Sequence, residues 1–485
     1  MPSVLIVGAG FGGIATAIEL TRHGYRDVTV LEKADSLGGV WHENTYPGAA
    51  CDVPSPLYSY SFEPNPHWSM RYSPGPEILE YLKRTAAKYG VDELIRFGTE
   101  VTTADFDETT GRWRVRTATG ETLEADVLVP AMGQLSRPVL PDIRGRDTFA
   151  GISFHSAEWN HDVDLSGQRV AVIGTGASAI QFVPAIQPEV AQLTVFQRTA
   201  PWLLVQPQKQ YRRFHHWLFE HFPGFQRFER FMIWLLVESL QKAMVSGSRV
   251  LLPLGTLLAK ARLRVRVRDH TLRRKLTPDY PAGCKRVLFS NLFLPAIVQP
   301  NVEVVTEAID SITPHGVCTQ DGVEHPADVL VYGTGFAATE FLAPIAIRGT
   351  GGTLLSDVWA GGARAYYGLA VPGFPNMFVM YGPNTNLGSG SIIAMLEPQA
   401  RYIRQAVETL DRRGPAYLDL RPDVEARFDA ETQSRLTDTV WTHCLSWYRN
   451  ATGRVVNNWP ASVEEYEERV RVLDPGDYEL VRLAK

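Results

Sequence analysis

Two glycine clusters are the first residues whose types and spacing could do chemistry. Gly8-Ala-Gly10-Phe-Gly-Gly13 is followed by a charged residue, Glu32, 24 positions beyond its first glycine. Gly174-Thr-Gly176-Ala-Ser-Ala179 repeats the pattern 166 residues later, and the residue at the same offset of 24 is Arg198. In such a cluster the first glycine permits a tight turn and the second lets a pyrophosphate reach backbone N–H groups at a helix N-terminus. The third allows close helix–strand packing. A carboxylate at the end of the next strand accepts hydrogen bonds from a free ribose 2′-hydroxyl, whereas a cation there suits a 2′-phosphate. Two nicotinamide sites of opposite charge would be redundant in one chain. FAD at Gly8, Gly10, Gly13 and Glu32, with NADPH at Gly174, Thr175, Gly176, Ala177, Ser178, Arg198 and Thr199, removes the redundancy, because hydride can pass from one cofactor to the other.

The elements that must position these residues are legible around them. Val4 to Val7 reads as a strand, Ile14 to His23 as a helix and Val28 to Leu31 as the strand ending at Glu32. Arg169 to Ile173, a helix through Ile186 and Leu193 to Phe196 repeat that grammar. The expected fold is therefore α/β, with two Rossmann-like dinucleotide-binding domains. Trp113 to Thr117 and Asp126 to Pro130 read as strands completing the first domain. Val302 to Val305 and Asp328 to Tyr332 resume the strand pattern after a helical, aromatic and basic stretch. The expected division is 1–143 and 331–485 for a discontinuous FAD-binding domain and 144–205 and 277–330 for the NADPH-binding domain. Residues 206–276 form a helical insertion in the second.

Bulk properties narrow the partners. The chain has 485 residues, a net charge of −5, 45% hydrophobic and 21% charged residues, which describes a globular protein of two or three domains. Nothing in the overall charge calls for nucleic acid, so a small-molecule substrate is expected. The most apolar stretches, Phe231 to Val237 and Val250 to Ala259, are much shorter than the ~20 residues needed to cross a bilayer. They are expected to be buried or peripheral helices, without membrane contact. The strand pattern begins at Val4, so no secretory leader is expected. Cys51, Cys284, Cys318 and Cys444 are widely separated, with no metal-ligand or redox-dithiol spacing, so a reducing cytoplasm, no metal site and no close cysteine pair are expected.

Several motifs resemble one known family. Phe149-Ala-Gly151-Ile-Ser-Phe-His155-Ser-Ala-Glu-Trp159-Asn160 is similar to F-x-G-x-x-x-H-x-x-x-W, the fingerprint of the type I Baeyer–Villiger monooxygenases among the class B flavoprotein monooxygenases. Asn160 departs from the Pro or Asp that usually follows. Leu37-Gly-Gly39-Val40-Trp41 and Tyr46-Pro-Gly-Ala-Ala-Cys-Asp52 resemble the segments that wrap the flavin, with Ala50 where an arginine is common. Tyr58, Val101 and Gln134 stand at expected cofactor contacts. Ala131-Met-Gly133-Gln134 and Tyr332-Gly-Thr-Gly-Phe336 look like the two interdomain crossings. Gly382-Pro-Asn-Thr-Asn-Leu-Gly388 resembles a loop against the flavin ring, with Ser389 in place of a frequent histidine.

The resemblance covers essentially the whole chain. It implies that FAD reduced by NADPH takes up molecular oxygen as a C4a-peroxyflavin, which inserts one oxygen atom beside a ketone carbonyl. In Gly283-Cys284-Lys285-Arg286 it makes Lys285 a second cation for the NADPH 2′-phosphate and Arg286 the active-site arginine. Asp52 orients Arg286, and His155 completes the expected catalytic set. A fixed guanidinium suits this chemistry because it stabilises anionic oxygen in a water-poor site. The other cations of the tract from Lys260 to Lys275 are expected to be solvated, with a modest role in steering NADPH as the alternative. Aromatic and apolar residues in the insertion and near Trp441, Trp447 and Trp459 suggest an apolar ketone, with ordinary core packing as the alternative for the same residues. Oxygenation of nitrogen or sulfur on the same scaffold is the alternative. A flavin-linked disulfide reductase would need a close cysteine pair, and a non-enzymatic NADPH sensor would bind NADPH without turnover.

Overall fold

Val4-Leu-Ile-Val7 is apolar at every position and buried on both faces, the pattern of a central strand in a parallel sheet covered on both sides. The computed structural model, which describes residues 1–248 and 250–483, places it as β1 (Val4–Val7) beside β2 (Val28–Leu31), β3 (Ile95–Arg96) and β4 (Val127–Pro130). The sheet is parallel, in the order β3-β2-β1-β4, with Ile6 opposite both Val30 and Val129. Helix α1 (Phe11–Arg22) starts three residues earlier than the periodicity suggests, directly on the glycine turn.

Gly8 has φ +108°, and a Cβ there would lie 2.7 Å from the carbonyl oxygen of Ala131. A Cβ on Gly13 would collide with the carbonyl oxygen of Gly8. Only glycine allows this close seating of helix on strand.

The second unit repeats the design in five parallel strands. These are β5 (Ile152–His155), β6 (Arg169–Ile173), β7 (Gln192–Phe196), β8 (Val302–Val305) and β9 (Val329–Tyr332). Their order is β8-β7-β6-β9-β5. Because β9 runs to Tyr332, the chain leaves this sheet two residues later than the expected boundary at 331. Helix α2 (Ala179–Ile186) follows the second glycine turn. There Gly174 has φ +113° and abuts the Gly333 carbonyl, so the returning crossing is pressed against the turn.

Between the paired two-residue strands Leu203–Leu204 and Leu288–Phe289 the chain loops out into helices. They are α3 (Arg213–His221), α4 (Pro223–Val245), α5 (Leu251–Arg266) and α6 (His270–Lys275). The final segment returns to the first unit, where α7 (Ile393–Arg413) packs on α1. The last two residues of the expected span 331–485 lie outside the described residues. No described helix is long and apolar enough to cross a membrane.

Candidate active site

A cavity of about 1460 Å³ runs from the first glycine turn to the second. Single-ligand pockets usually hold roughly 300–1,000 Å³, so this one has room for more than one large ligand.

At the first turn, Gly8, Gly10 and Glu32 line the wall. The Glu32 carboxylate accepts hydrogen bonds from the backbone N–H of Ala9 (2.7 Å) and of Ala34 (2.9 Å), which fixes it against the turn. Gly39 faces Gly10: a Cβ on Gly39 would come within 3.3 Å of the Gly10 Cα, so the two glycines keep this part of the cradle open. Val40, Trp41, Tyr58, Val101 and Gln134 continue the wall. Trp41 Nε1 donates to Tyr58 Oη (3.1 Å), and Gln134 Nε2 donates to the carbonyl of Tyr381 (3.0 Å). A carboxylate at the strand end and an open glycine cradle at a helix N-terminus fit the adenosine diphosphate half of FAD.

The second turn presents Gly174, Thr175, Gly176, Ala177 and Ser178 to the same cavity, with Arg198 and Thr199 just beyond β7. Thr175 Oγ1 donates to the Thr199 carbonyl (3.2 Å), joining turn and strand end. Lys285 also lines the wall, its ammonium 4.8 Å from the centre of the Tyr280 ring. Burial, and then the neighbouring Arg198 guanidinium, hold the Lys285 pKa below the usual lysine range, with only Asp279 pulling the other way. Two cations crowded together are what a bound dianion relieves, so the donor set fits a 2′-phosphate.

Arg286 lies between the two turns. It precedes the strand Leu288–Phe289, whose Leu288 N–H donates to the Trp202 carbonyl (2.9 Å). Its Nε donates to Asp52 Oδ2 (2.9 Å) and its Nη2 to Asp52 Oδ1 (2.7 Å), a two-pronged pair on the cavity wall. The Asp52 carboxylate raises the Arg286 pKa further above its ordinary value, so the guanidinium is permanently charged. The segment leading to Asp52 is tied to the second unit by a clasp. Tyr46 Oη donates to Gln181 Oε1 (2.9 Å), and Gln181 Nε2 donates to the Ala50 carbonyl (2.9 Å). The backbone at Ala50, where the resemblance leads one to look for an arginine, is thus engaged by α2.

Three expectations need correction. His155 does not line the cavity, although the adjacent Ser156 does. The strand β5 turns its imidazole inward, where it is 1% exposed. Nδ1 accepts from the Ala157 N–H (3.1 Å), the ring meets the edge of Phe336, and burial lowers its pKa. His155 therefore touches the interdomain crossing and not the cavity. The expectation of apolar substrate contacts near Trp441, Trp447 and Trp459 narrows to Trp447, which lines the cavity, while Trp441 and Trp459 take the other reading open to them and are core residues. The third concerns the cysteines: Cys284 and Cys444 form a disulfide across 160 residues, a proximity created by the tertiary fold. Neither lines the cavity, so the pair is not placed to exchange hydride there. Gly13 is off the cavity wall too, in keeping with its packing role.

Sequence reasoning missed the aromatic cluster facing Arg286. Burial pushes the Tyr448 hydroxyl up to about 12, partly opposed by the Arg286 charge, so the phenol stays protonated beside the guanidinium. Tyr381 Oη donates to Asn386 Oδ1 (2.6 Å), and both residues line the wall. The Gly382 to Gly388 loop was the available signal for Asn386; Tyr448 had none.

Two Rossmann-like sheets opening on one cavity, with a carboxylate at one strand end and paired cations at the other, define a flavin- and nicotinamide-dependent oxidoreductase. Residues 5–215 match the family model described as pyridine nucleotide-disulphide oxidoreductase. That span contains both glycine turns but a single cysteine, Cys51, so the match reflects the dinucleotide folds. The chain is 42% identical to a Baeyer–Villiger monooxygenase of Streptomyces coelicolor, over 99% of this chain and 93% of the relative. It is 39% identical to a Baeyer–Villiger monooxygenase of Pseudomonas aeruginosa, over 98% and 91%. Among solved structures, an oxidised steroid monooxygenase bound to NADP matches with a TM-score of 0.88 at 30% identity, covering 99% of both chains. A complex of OTEMO with FAD and NADP matches with a TM-score of 0.88 at 28% identity, again over 99% of both. The chain belongs to the type I Baeyer–Villiger monooxygenases, class B flavoprotein enzymes that use FAD and NADPH.

Proposed function

We propose that this chain converts an apolar ketone into an ester or lactone, with Arg286 as the catalytic residue that holds negative charge at the reacting oxygens. The observation that carries this reading is the two-pronged Arg286–Asp52 pair on the cavity wall between the two glycine turns. The overall change consumes ketone, O₂, NADPH and a proton, and yields ester or lactone, NADP⁺ and water. When bound, the flavin supplies activated oxygen and the nicotinamide supplies the hydride.

The chain's own residues do the rest. Asp52 engages Nε and Nη2 of the guanidinium and leaves Nη1 without a partner from that carboxylate, so this cavity-lining residue keeps a donor for a ligand. Such a donor stabilises charge growing on the substrate's carbonyl oxygen, at no cost in reorganisation. Glu32 and the first turn hold FAD; Arg198, Lys285 and the second turn hold NADPH. His155 acts as a positioning residue at the crossing through Phe336. Leu387, Ile392 and Trp447 on the wall support an apolar substrate and help exclude water. The proposed division is 1–143 with 333–485 for FAD and 144–205 with 277–332 for NADPH, and the cytoplasm, where NADPH is supplied, is the proposed location.

Arg286→Ala tests the reading. Ketone turnover should fall on the order of a hundred- to a thousandfold, while NADPH oxidation and flavin content persist. Unchanged ester formation in that variant would contradict the assignment.

A further inference from the structure

The insertion carries features that the reaction does not use. More than half of the exposed large hydrophobic side chains among the described residues fall between 214 and 265. On α4 the exposed set is Phe225, Phe228, Phe231, Met232, Leu235 and Leu236. At 100° per residue these six share an arc of about 140°, a single stripe. On α5 the set is Leu251, Leu254, Leu257, Leu258 and Val265, again one stripe. Phe228 is 62% exposed and Leu257 61%. The aromatic contacts Trp217–Phe222 and Phe222–Phe225 carry the α4 stripe onto α3. With roughly 100 Å² of apolar surface on each side chain, each stripe alone reaches the upper end of the ~300–600 Å² patch that a typical monomer exposes.

Charge decides what would cover them. Residues 206–276 hold 15 Lys and Arg against 4 Asp and Glu, in a chain whose net charge is −5. The exposed Lys260 and Arg264 flank one edge of the α5 stripe and Arg266 the other, with Arg268 and Arg274 following. Arg227 is exposed beside the α4 stripe. Apolar stripes edged by cations match a bilayer surface of anionic lipids, in which apolar side chains enter the acyl boundary and cations meet phosphates. A second copy of the same face would bring like charges together. Helices too short to cross a bilayer can still lie on one.

Against the expectation of no membrane contact for these stretches, we infer that the α3–α5 face docks this enzyme peripherally on anionic lipid membranes. This does not depend on the reaction assigned to the cavity, because none of these side chains lines it. The test is co-sedimentation of the FAD-loaded full chain with phosphatidylcholine vesicles, with and without phosphatidylglycerol. The expected result is salt-sensitive binding to the anionic vesicles only. Arg264→Glu and Arg266→Glu should each weaken it at least about fivefold, and Leu235→Glu with Leu254→Glu should abolish it, while NADPH oxidation in solution stays unchanged. Absence of binding at low salt, or binding that none of these variants alters, overturns the proposal. So does a concentration-dependent dimer that dissociates in the Leu235→Glu, Leu254→Glu variant without any vesicle binding by the parent, which would assign the face to a second copy.

Discussion

Arg286 and Asp52 lie 234 residues apart in sequence and meet through two hydrogen bonds of 2.9 and 2.7 Å. One residue comes from the edge of the nicotinamide unit and the other from the segment wrapping the flavin unit, so the pair also reports on how the two units are seated. Asp52→Asn keeps one acceptor and loses the charge. Its ester formation should fall less than in Arg286→Ala, with the larger effect in kcat than in the ketone KM. Steady-state product analysis checks the split, and a change confined to KM would argue that Asp52 shapes ketone binding instead of orienting Arg286.

In the proposed NADPH site, Arg198 and Lys285 share the 2′-phosphate between them. A charge-assisted hydrogen bond contributes roughly 1.5–3 kcal/mol, so Arg198→Ala should raise the KM for NADPH about ten- to a hundredfold. The KM for NADH should scarcely move. Parallel loss with both nucleotides would mean that Arg198 serves the fold and not the 2′-phosphate.

The depressed pKa of Lys285 gives NADP⁺ affinity a defined pH dependence. The ammonium is charged below its own pKa, so its share of the affinity is complete around neutral pH, where the phosphate is a dianion, and declines as pH rises through that value. The decline should therefore set in below the ~10.4 of an ordinary lysine. Lys285→Arg should flatten the profile. Calorimetric titration from neutral to alkaline pH would show it, and an equally steep decline in the arginine variant would assign the effect elsewhere.

The Cys284–Cys444 disulfide ties the loop carrying Lys285 and Arg286 to the segment carrying Trp447 and Tyr448. Cross-links of this kind typically contribute about 2–4 kcal/mol. Cys444→Ser should lower the urea midpoint accordingly, and a thiol reductant should bring the parent toward the variant while leaving the variant unmoved. Indifference of the parent to both would mean that the bridge does not form in solution.

What was legible in the sequence is what local chemistry dictates. Strands β1, β6 and β8 match their apolar runs, the turns follow from Gly8 and Gly174, and Glu32 and Arg198 both reach the cavity wall from the strand ends where their spacing puts them. The helical insertion was visible as a break in strand pattern. What escaped was set by tertiary geometry. The Cys284–Cys444 pairing, the Gln181 clasp and the approach of Tyr448 to Arg286 join residues with no sequence relationship. His155 turned away from the cavity because the register of β5 against β9 fixes which face each side chain takes. The apolar runs of α4 and α5 carry the same periodicity whether they face a core or the outside, so burial could not be read from them.

The central claim is oxygen insertion beside a ketone carbonyl in a site organised by Arg286. The most direct measurement is product mass from a panel of apolar ketones turned over by the FAD-loaded chain with NADPH under ¹⁸O₂. Esters or lactones carrying one labelled oxygen are expected, formed in proportion to NADPH consumed and lost in Arg286→Ala. Inert ketones alongside robust labelled sulfoxides or amine oxides would contradict it.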